Sequence, residues 1–235
     1  MSTTVASEAR EPESATLIKI CGITNREDAH AAIEAGADVL GFVAVQESPR
    51  YVAASAFLRI RDILPQDFPV VVVAKRASDA AKYHPPIVQY YEESGLDDGL
   101  DEDVKRILVV RFKNSESIAE ATASQERAHA ILVDGFHTIA LGGTGTRFDW
   151  SQASALTSVV EKPVVLAGGL KPSNVREALS AVRPYAVDVS SGVEDITPGK
   201  KSHDLIKEFI GNVREWDKEN HRVSGKRRRF LDQAK

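Results

Sequence analysis

The chain holds one cysteine, Cys21, in 235 residues. That scarcity excludes an internal disulfide framework and every metal site built from several thiolates, and it fits a reducing, cytoplasmic setting. No uninterrupted apolar run approaches the length needed to cross a bilayer. The first fifteen residues contain Glu8, Glu11 and Glu13 and no apolar stretch. They therefore do not read as a signal peptide or an acid-poor transit peptide, and residues 1–16 are expected to form a flexible leader. Gly142-Gly143-Thr144-Gly145 lacks the spacing and the following Lys-Ser/Thr of a P-loop, so a nucleoside triphosphatase is not indicated. Net positive charge is absent too: the formal charge is −4, and because Arg214 to Lys235 carries eight basic and four acidic residues, the remainder stands near −8. The one concentrated basic run, Lys226 to Arg229, reads as part of a solvated tail, residues 217–235. Neither a nucleic acid nor a membrane is expected as a partner.

What is present is a sizeable core, with 43% hydrophobic and 27% charged residues. Short β-branched runs alternate with amphipathic stretches, the pattern of parallel strands covered by helices. Eight strands are predicted: Leu17 to Gly22, Val39 to Val45, Val70 to Lys75, Ile87 to Tyr91, Ile107 to Phe112, Ala130 to Asp134, Val164 to Ala167 and Ala186 to Ser190. Helices are expected over Arg26 to Ala35, Ala53 to Leu64, Ser117 to Glu126, Ser151 to Val160, Asn174 to Val182 and His203 to Arg214. Thr24 or Asn25 suits the cap of the first of these, and Ser173-Asn174 the cap of the helix before the last strand. Eight β/α units in one domain, residues 17–216, is the arithmetic of an α/β protein of the (β/α)8 TIM-barrel class, which the count favours over a doubly wound open sheet with similar local patterns. The third unit is the weakest, since His84-Pro85-Pro86 stops any helix there. Glu92 to Asp103, with seven acidic residues and no basic one, reads as an exposed acidic loop.

Barrel enzymes place their chemistry at strand C-termini. Those ends carry a thiol at Cys21, a guanidinium at Arg50, a carboxyl at Asp134, and two small-residue loops, Gly168-Gly169 and Ser190-Ser191-Gly192. The two loops follow strands 7 and 8 and suit a phosphate, because small residues let backbone N–H groups approach an anion. Each residue has a plainer reading: Cys21 as buried packing, Asp134 as a brace for the loop after it, Arg50 as a surface bridge to Glu47. Asp188, inside an apolar strand, suits a substrate contact or a satisfied buried carboxylate equally.

Several segments in order carry a resemblance. Lys19-Ile20-Cys21-Gly22-Ile23-Thr24, Ala35-Gly36-Ala37-Asp38, Ser48-Pro49-Arg50-Tyr51, Leu132-Val133-Asp134, Gly142 to Gly145 with Phe148-Asp149-Trp150, Leu166 to Leu170 and Asp188 to Glu194 resemble the phosphoribosylanthranilate isomerases of tryptophan biosynthesis, from about Ile18 to Phe209. The resemblance implies an isomerase that converts N-(5-phosphoribosyl)anthranilate to 1-(2-carboxyphenylamino)-1-deoxyribulose 5-phosphate by an Amadori rearrangement, with no cofactor and no metal. By position it makes Cys21 the general base, Asp134 the general acid and Arg50 the receptor of the anthranilate carboxylate. Gly168, Gly169, Ser190 and Ser191 become the phosphate grip. A thiol near an anion-binding face with Arg50 close by is expected to be partly ionised at neutral pH.

The chain departs from the family pattern where Gln89-Tyr90-Tyr91-Glu92 stands in place of Gln-Leu-His-Gly, and where Gly145-Thr146-Arg147 stands in place of Gly-Lys. The first departure is expected to reshape the anthranilate end of the pocket. Isomerisation of another phosphosugar, or a non-catalytic phosphate-binding scaffold, are the alternative readings. A phosphorylated small molecule is the expected partner of a monomer or homodimer. Because the basic run is read as solvated, deleting Gly225 to Lys235 is expected to leave turnover intact, checked by steady-state assay of the truncated chain.

Overall fold

The computed structural model describes residues 15–91, 100–111, 116–134 and 150–220. The expectations for most of the leader, the acidic segment 92–99, the Gly142–Gly145 loop and the basic run 226–229 lie outside the described residues.

Eight parallel strands close into a barrel in sequence order. They are β1 (Leu17–Cys21), β2 (Val39–Val43), β3 (Val70–Val73), β4 (Ile87–Tyr91), β5 (Lys105–Arg111), β6 (Ala130–Asp134), β7 (Val164–Ala167) and β8 (Ala186–Val189), each within two residues of its predicted bounds. The covering helices are α1 (Arg26–Ala35), α2 (Ala54–Arg61), α3 (Glu116–Ser124), α4 (Trp150–Val159), α5 (Val175–Val182) and α6 (His203–Glu219).

Strand side chains alternate between two faces, and in a closed barrel both faces are buried. The sequence shows this most plainly in Val70–Val73: Val71 and Val73 point into the barrel, while Val70 and Val72 pack under the helices. The inner core is the smaller one, built from Val39, Val71, Ile87, Ile107, Ala130, Leu132, Val165 and Ala186 among others. The outer core contains Ile18, Ile20, Phe42, Val88, Leu108, Val133 and Val187 from the strands, with the apolar faces of the helices over them.

The third unit has no α-helix; a 3₁₀ turn, Ala77–Tyr83, ends at His84 in the left-handed region (φ 46°), ahead of the prolines that forbid continuation. An aromatic cluster fills the space. Phe42 meets Phe57 edge-on at 5.0 Å between ring centres, Phe57 meets Tyr83 at 5.7 Å, and the Tyr83 hydroxyl donates to the Val52 carbonyl.

At α1, the cap expected at Thr24 or Asn25 is Asn25, whose Oδ1 accepts from the Asp28 amide. Asn174 departs from its expected role. It occupies the cap position of α5, but its Oδ1 accepts from the Lys171 amide and its Nδ2 donates to the Gly169 carbonyl, so it braces the preceding loop instead of the helix.

The last helix runs past the expected boundary at residue 216, with Trp216 and Asp217 buried in it. Asp217 accepts from both the amide and the hydroxyl of Thr16, at 2.9 and 2.7 Å, and Arg214 donates to the Thr16 carbonyl. Thr16 is fully buried, so this clasp joins the entry of β1 to the end of the barrel. Removing its acceptor strands two buried donors. Asp217→Ala is expected to lower unfolding stability by about 2–3 kcal/mol in urea titration, while kcat stays near wild type.

Candidate active site

The alternation that builds the inner core also builds the site. Following each inward row toward the strand C-termini, valines and alanines give way to Cys21 on β1, Gln89 and Tyr91 on β4, Arg111 on β5, Asp134 on β6 and Asp188 on β8. All of them line one cavity of about 700 Å³, closed on one side by the loops Gly168–Leu170 and Ser190–Ser191 and on another by Ser48 and Arg50. That volume is ordinary for a small-molecule site. All eight residues singled out in the sequence thus border one space. Cys21 and Asp134 approach it from strands three places apart around the ring.

The two glycines of the β7 loop adopt left-handed φ values, 87° at Gly168 and 67° at Gly169, which side chains resist. The β8 loop lies hard against this one. A Cβ on Gly192 would stand 1.8 Å from the Leu170 carbonyl oxygen, so only glycine permits the approach.

Arg50 has a partner that the sequence reading did not identify. The bridge considered there, to Glu47, is not made; Glu47 pairs with Lys75 at 2.7 Å on the exposed surface. Arg50 instead grips Glu194 in the two-bonded fashion of guanidinium and carboxylate, Nε to Oε1 at 2.7 Å and Nη2 to Oε2 at 2.5 Å. Glu194 also accepts from Lys201, whose buried ammonium donates to the Ser190 carbonyl as well. Burial pushes the Glu194 carboxyl up, but bonds and charge from Arg50 and Lys201 outweigh it and hold the group below its ordinary range. The loops after β2 and β8 are fastened together by this network.

Beneath the cavity, β8 pairs with β1 so that Asp188 stands beside Lys19. The buried Lys19 ammonium donates to Asp188 Oδ2 at 2.8 Å and reaches across the barrel to Gln89 Oε1 at 3.0 Å. Asp188 Oδ1 is buried with no hydrogen-bond partner among the described residues. The Cys21 thiol does not carry the partial ionisation expected from the sequence. Burial, and next the Asp188 carboxylate, push it above its ordinary range; the opposing cations are Lys19 and Lys201, and Arg50 is committed to Glu194.

Tyr91, at the position where the sequence departs from the family pattern, carries the Arg111 guanidinium over its ring at 4.5 Å. Burial, then Asp134, push the phenol up, so it stays neutral. Arg111 was missed in the sequence, although Ile107, Val109 and Arg111 share one strand face and Arg111 sits at the strand end. Lys19 was equally legible by its spacing from Cys21. Glu194 and Lys201 carried no such signal, since their burial depends on contacts with distant segments.

This fold, with one cavity at the C-terminal ends of its strands, is that of a (β/α)8-barrel enzyme. The chain belongs to the N-(5'phosphoribosyl)anthranilate (PRA) isomerase family, whose model matches residues 18–212. It is 40% identical over 208 residues to the N-(5'-phosphoribosyl)anthranilate isomerase of Geobacter sp. (strain M21), covering 85% of this chain and 98% of that one. Among solved structures, it superposes on phosphoribosyl anthranilate isomerase from Thermotoga maritima with a TM-score of 0.74 at 39% identity, covering 85% and 99% of the two chains. A further isomerase structure, in complex with reduced 1-(o-carboxyphenylamino)-1-deoxyribulose 5-phosphate, superposes with a TM-score of 0.72 at 37% identity and the same coverage.

The Glu194 network sets an acid limit. A carboxyl held low contributes stability that is present above its ordinary value of 4.5 and is lost as the pH falls through the lowered one. Glu194→Gln is expected to flatten that acid limb of the stability–pH curve and to cost about 1–3 kcal/mol at pH 7, measured by denaturation from neutral pH down to about pH 2, which takes in the range where a carboxyl held below its ordinary value titrates.

Proposed function

We propose that this barrel isomerises N-(5'-phosphoribosyl)anthranilate with Cys21 as general base and Asp134 as general acid, in the cytosol and without cofactor. The observation that carries this reading is the inward alternation that sets a thiol and a carboxyl on opposite sides of one cavity, beside two loops shaped for a phosphate.

Protonated Asp134 gives its proton to the ribose ring oxygen, and the ring C–O bond breaks as the anilino nitrogen lone pair forms the Schiff base. That cation acidifies the hydrogen on sugar C2. The Cys21 thiolate removes it, the electrons of the C–H bond flow toward nitrogen, and an enolamine results. Tautomerisation, in which C1 gains a proton and the C2 hydroxyl loses one, gives the ketone. Asp188 Oδ1, buried and unpartnered among the described residues, is suited to accept a hydrogen bond from a sugar hydroxyl.

The phosphate is assigned to Gly168, Gly169, Ser190 and Ser191. At the other end, Glu194 occupies the Nε/Nη2 edge of Arg50, which leaves the Nη1/Nη2 edge for the anthranilate carboxylate. Glu194 serves this contact by fixing the guanidinium plane. The Tyr91 ring with Arg111 forms the wall for the aromatic ring. All these residues come from one chain, so a monomer or a homodimer carries a complete site.

The chain is expected to rescue a tryptophan auxotroph that lacks this step; failure despite good soluble expression contradicts the assignment and favours another phosphosugar. In purified protein, Cys21→Ala and Asp134→Asn are each expected to lower kcat by about 10²–10⁴-fold. Turnover near wild type in either variant removes that residue from the chemistry.

A further inference from the structure

A fully enclosed lysine under a catalytic pocket needs a reason, because burial disfavours the ammonium. Lys19 is 4% exposed, and its charge survives through its partners. Burial pulls its titration down, but Asp188 first and Cys21 second pull it up further, leaving it above its ordinary range. Two residues apart on β1, Lys19 and Cys21 share the inward face, with the lysine one layer beneath the thiol. Its ammonium is held beneath the thiol by Asp188 at 2.8 Å and Gln89 at 3.0 Å.

The neighbouring strand is cut away to allow this. Gly41 is the register partner of Cys21, and a Cβ there would stand 2.8 Å from the Cys21 sulfur and 3.0 Å from Lys19 Cε. Sulfur and lysine stem therefore converge on the space that a side chain at position 41 would fill.

We propose that Lys19 is the positioning residue of the general base: its ammonium, braced by Asp188 and Gln89 beneath the cavity, is the fixed positive charge against which the Cys21 thiolate forms. The charged and titratable groups facing the thiol are Lys19 on β1, Asp188 on β8, Lys201 in the segment after β8 and Tyr91 on β4, with Arg111 and Asp134 farther across the cavity. Asp188 opposes ionisation, Lys201 is already bonded to Glu194 and Ser190, and Lys19 is the foremost cation favouring it. When the thiol ionises, its proton passes to solvent and Lys19 keeps its own. The thiolate then takes up the substrate's C2 proton.

This proposal rests on Cys21 as base, and the two separate experimentally. Because Cys21 is the only cysteine, alkylation of the full chain by iodoacetamide, followed by mass spectrometry across pH, reports on one thiol without any turnover. Lys19→Met is expected to raise the midpoint of that profile by about one pH unit or more, a loss of roughly tenfold in alkylation rate below the midpoint. It is also expected to lower kcat by about 10²-fold or more while KM changes little. Lys19→Arg, which keeps the charge, is expected to restore part of both.

A Lys19→Met protein with the wild-type circular dichroism spectrum and an unchanged alkylation profile overturns the proposal, because a purely structural lysine leaves the thiol's titration alone. If Lys19→Met does not fold, Gly41→Ala takes its place: crowding sulfur and lysine apart is expected to raise the same profile, and an overlay with wild type overturns the proposal. Full turnover in Cys21→Ala, by contrast, defeats the general-base reading and leaves the alkylation result as the measure of the Lys19–Cys21 coupling.

Discussion

The closing of β8 onto β1 is the constraint from which the site follows. In that register Lys19 stands beside Asp188, both facing inward, and their 2.8 Å ion pair is sealed in the barrel. A buried pair of this kind is costly to form and more costly to break singly, since either partner alone leaves an uncompensated charge. A one-residue slip would send Asp188 out under the helices and bring an apolar side chain beside the ammonium. The pair thus disfavours other registers, and the correct one carries Cys21, at the end of β1, and Ser190, just past the end of β8, up to the cavity two positions later along the chain.

The same arrangement explains why the Cys21 thiol is pushed above its ordinary range. Cys21 sits between a carboxylate that repels its charge and an ammonium that attracts it, in surroundings that penalise any charge. One Asp188 oxygen is buried without a hydrogen-bond partner among the described residues. Around the rim, Arg50 is restrained likewise: Glu194 and Lys201 fix its orientation and tie it to the loop that includes Ser190. Cys21, Asp134, Arg50 and the loops after β7 and β8 are therefore mounted on strand ends and braced loops, a rigid support of the kind precise positioning requires.

Much of this was legible in the sequence because it follows local periodicity. Val70–Val73 reads as a strand buried on both faces, and the prolines after His84 announce a truncated third helix, as observed. Cys21, Asp134 and the two small-residue loops were found because they end strands. Arg111 and Lys19 obey the same rule of two but did not stand out as site residues, because a charged side chain at a strand end or inside a short motif reads equally well as a solvated one. The Arg50–Glu194 bond joins residues 144 apart, and Lys201 is buried by segments that no local pattern relates to it. The ionisation of Cys21 was misjudged for a similar reason: its sign depends on burial and on Asp188 across the barrel closure, not on neighbours along the chain.

The central claim is that one ligand meets base, acid and anion grip together on the inward face of this barrel. It is tested most directly by a crystal structure of the chain with a reduced, non-reacting product analogue bound. The account places the phosphate at Gly168-Gly169 and Ser190-Ser191, the aryl carboxylate on Arg50, and sugar C2 about 3–3.5 Å from the Cys21 sulfur, with Asp134 on the opposite side. A phosphate bound elsewhere, or a Cys21 sulfur out of reach of C2, would contradict it.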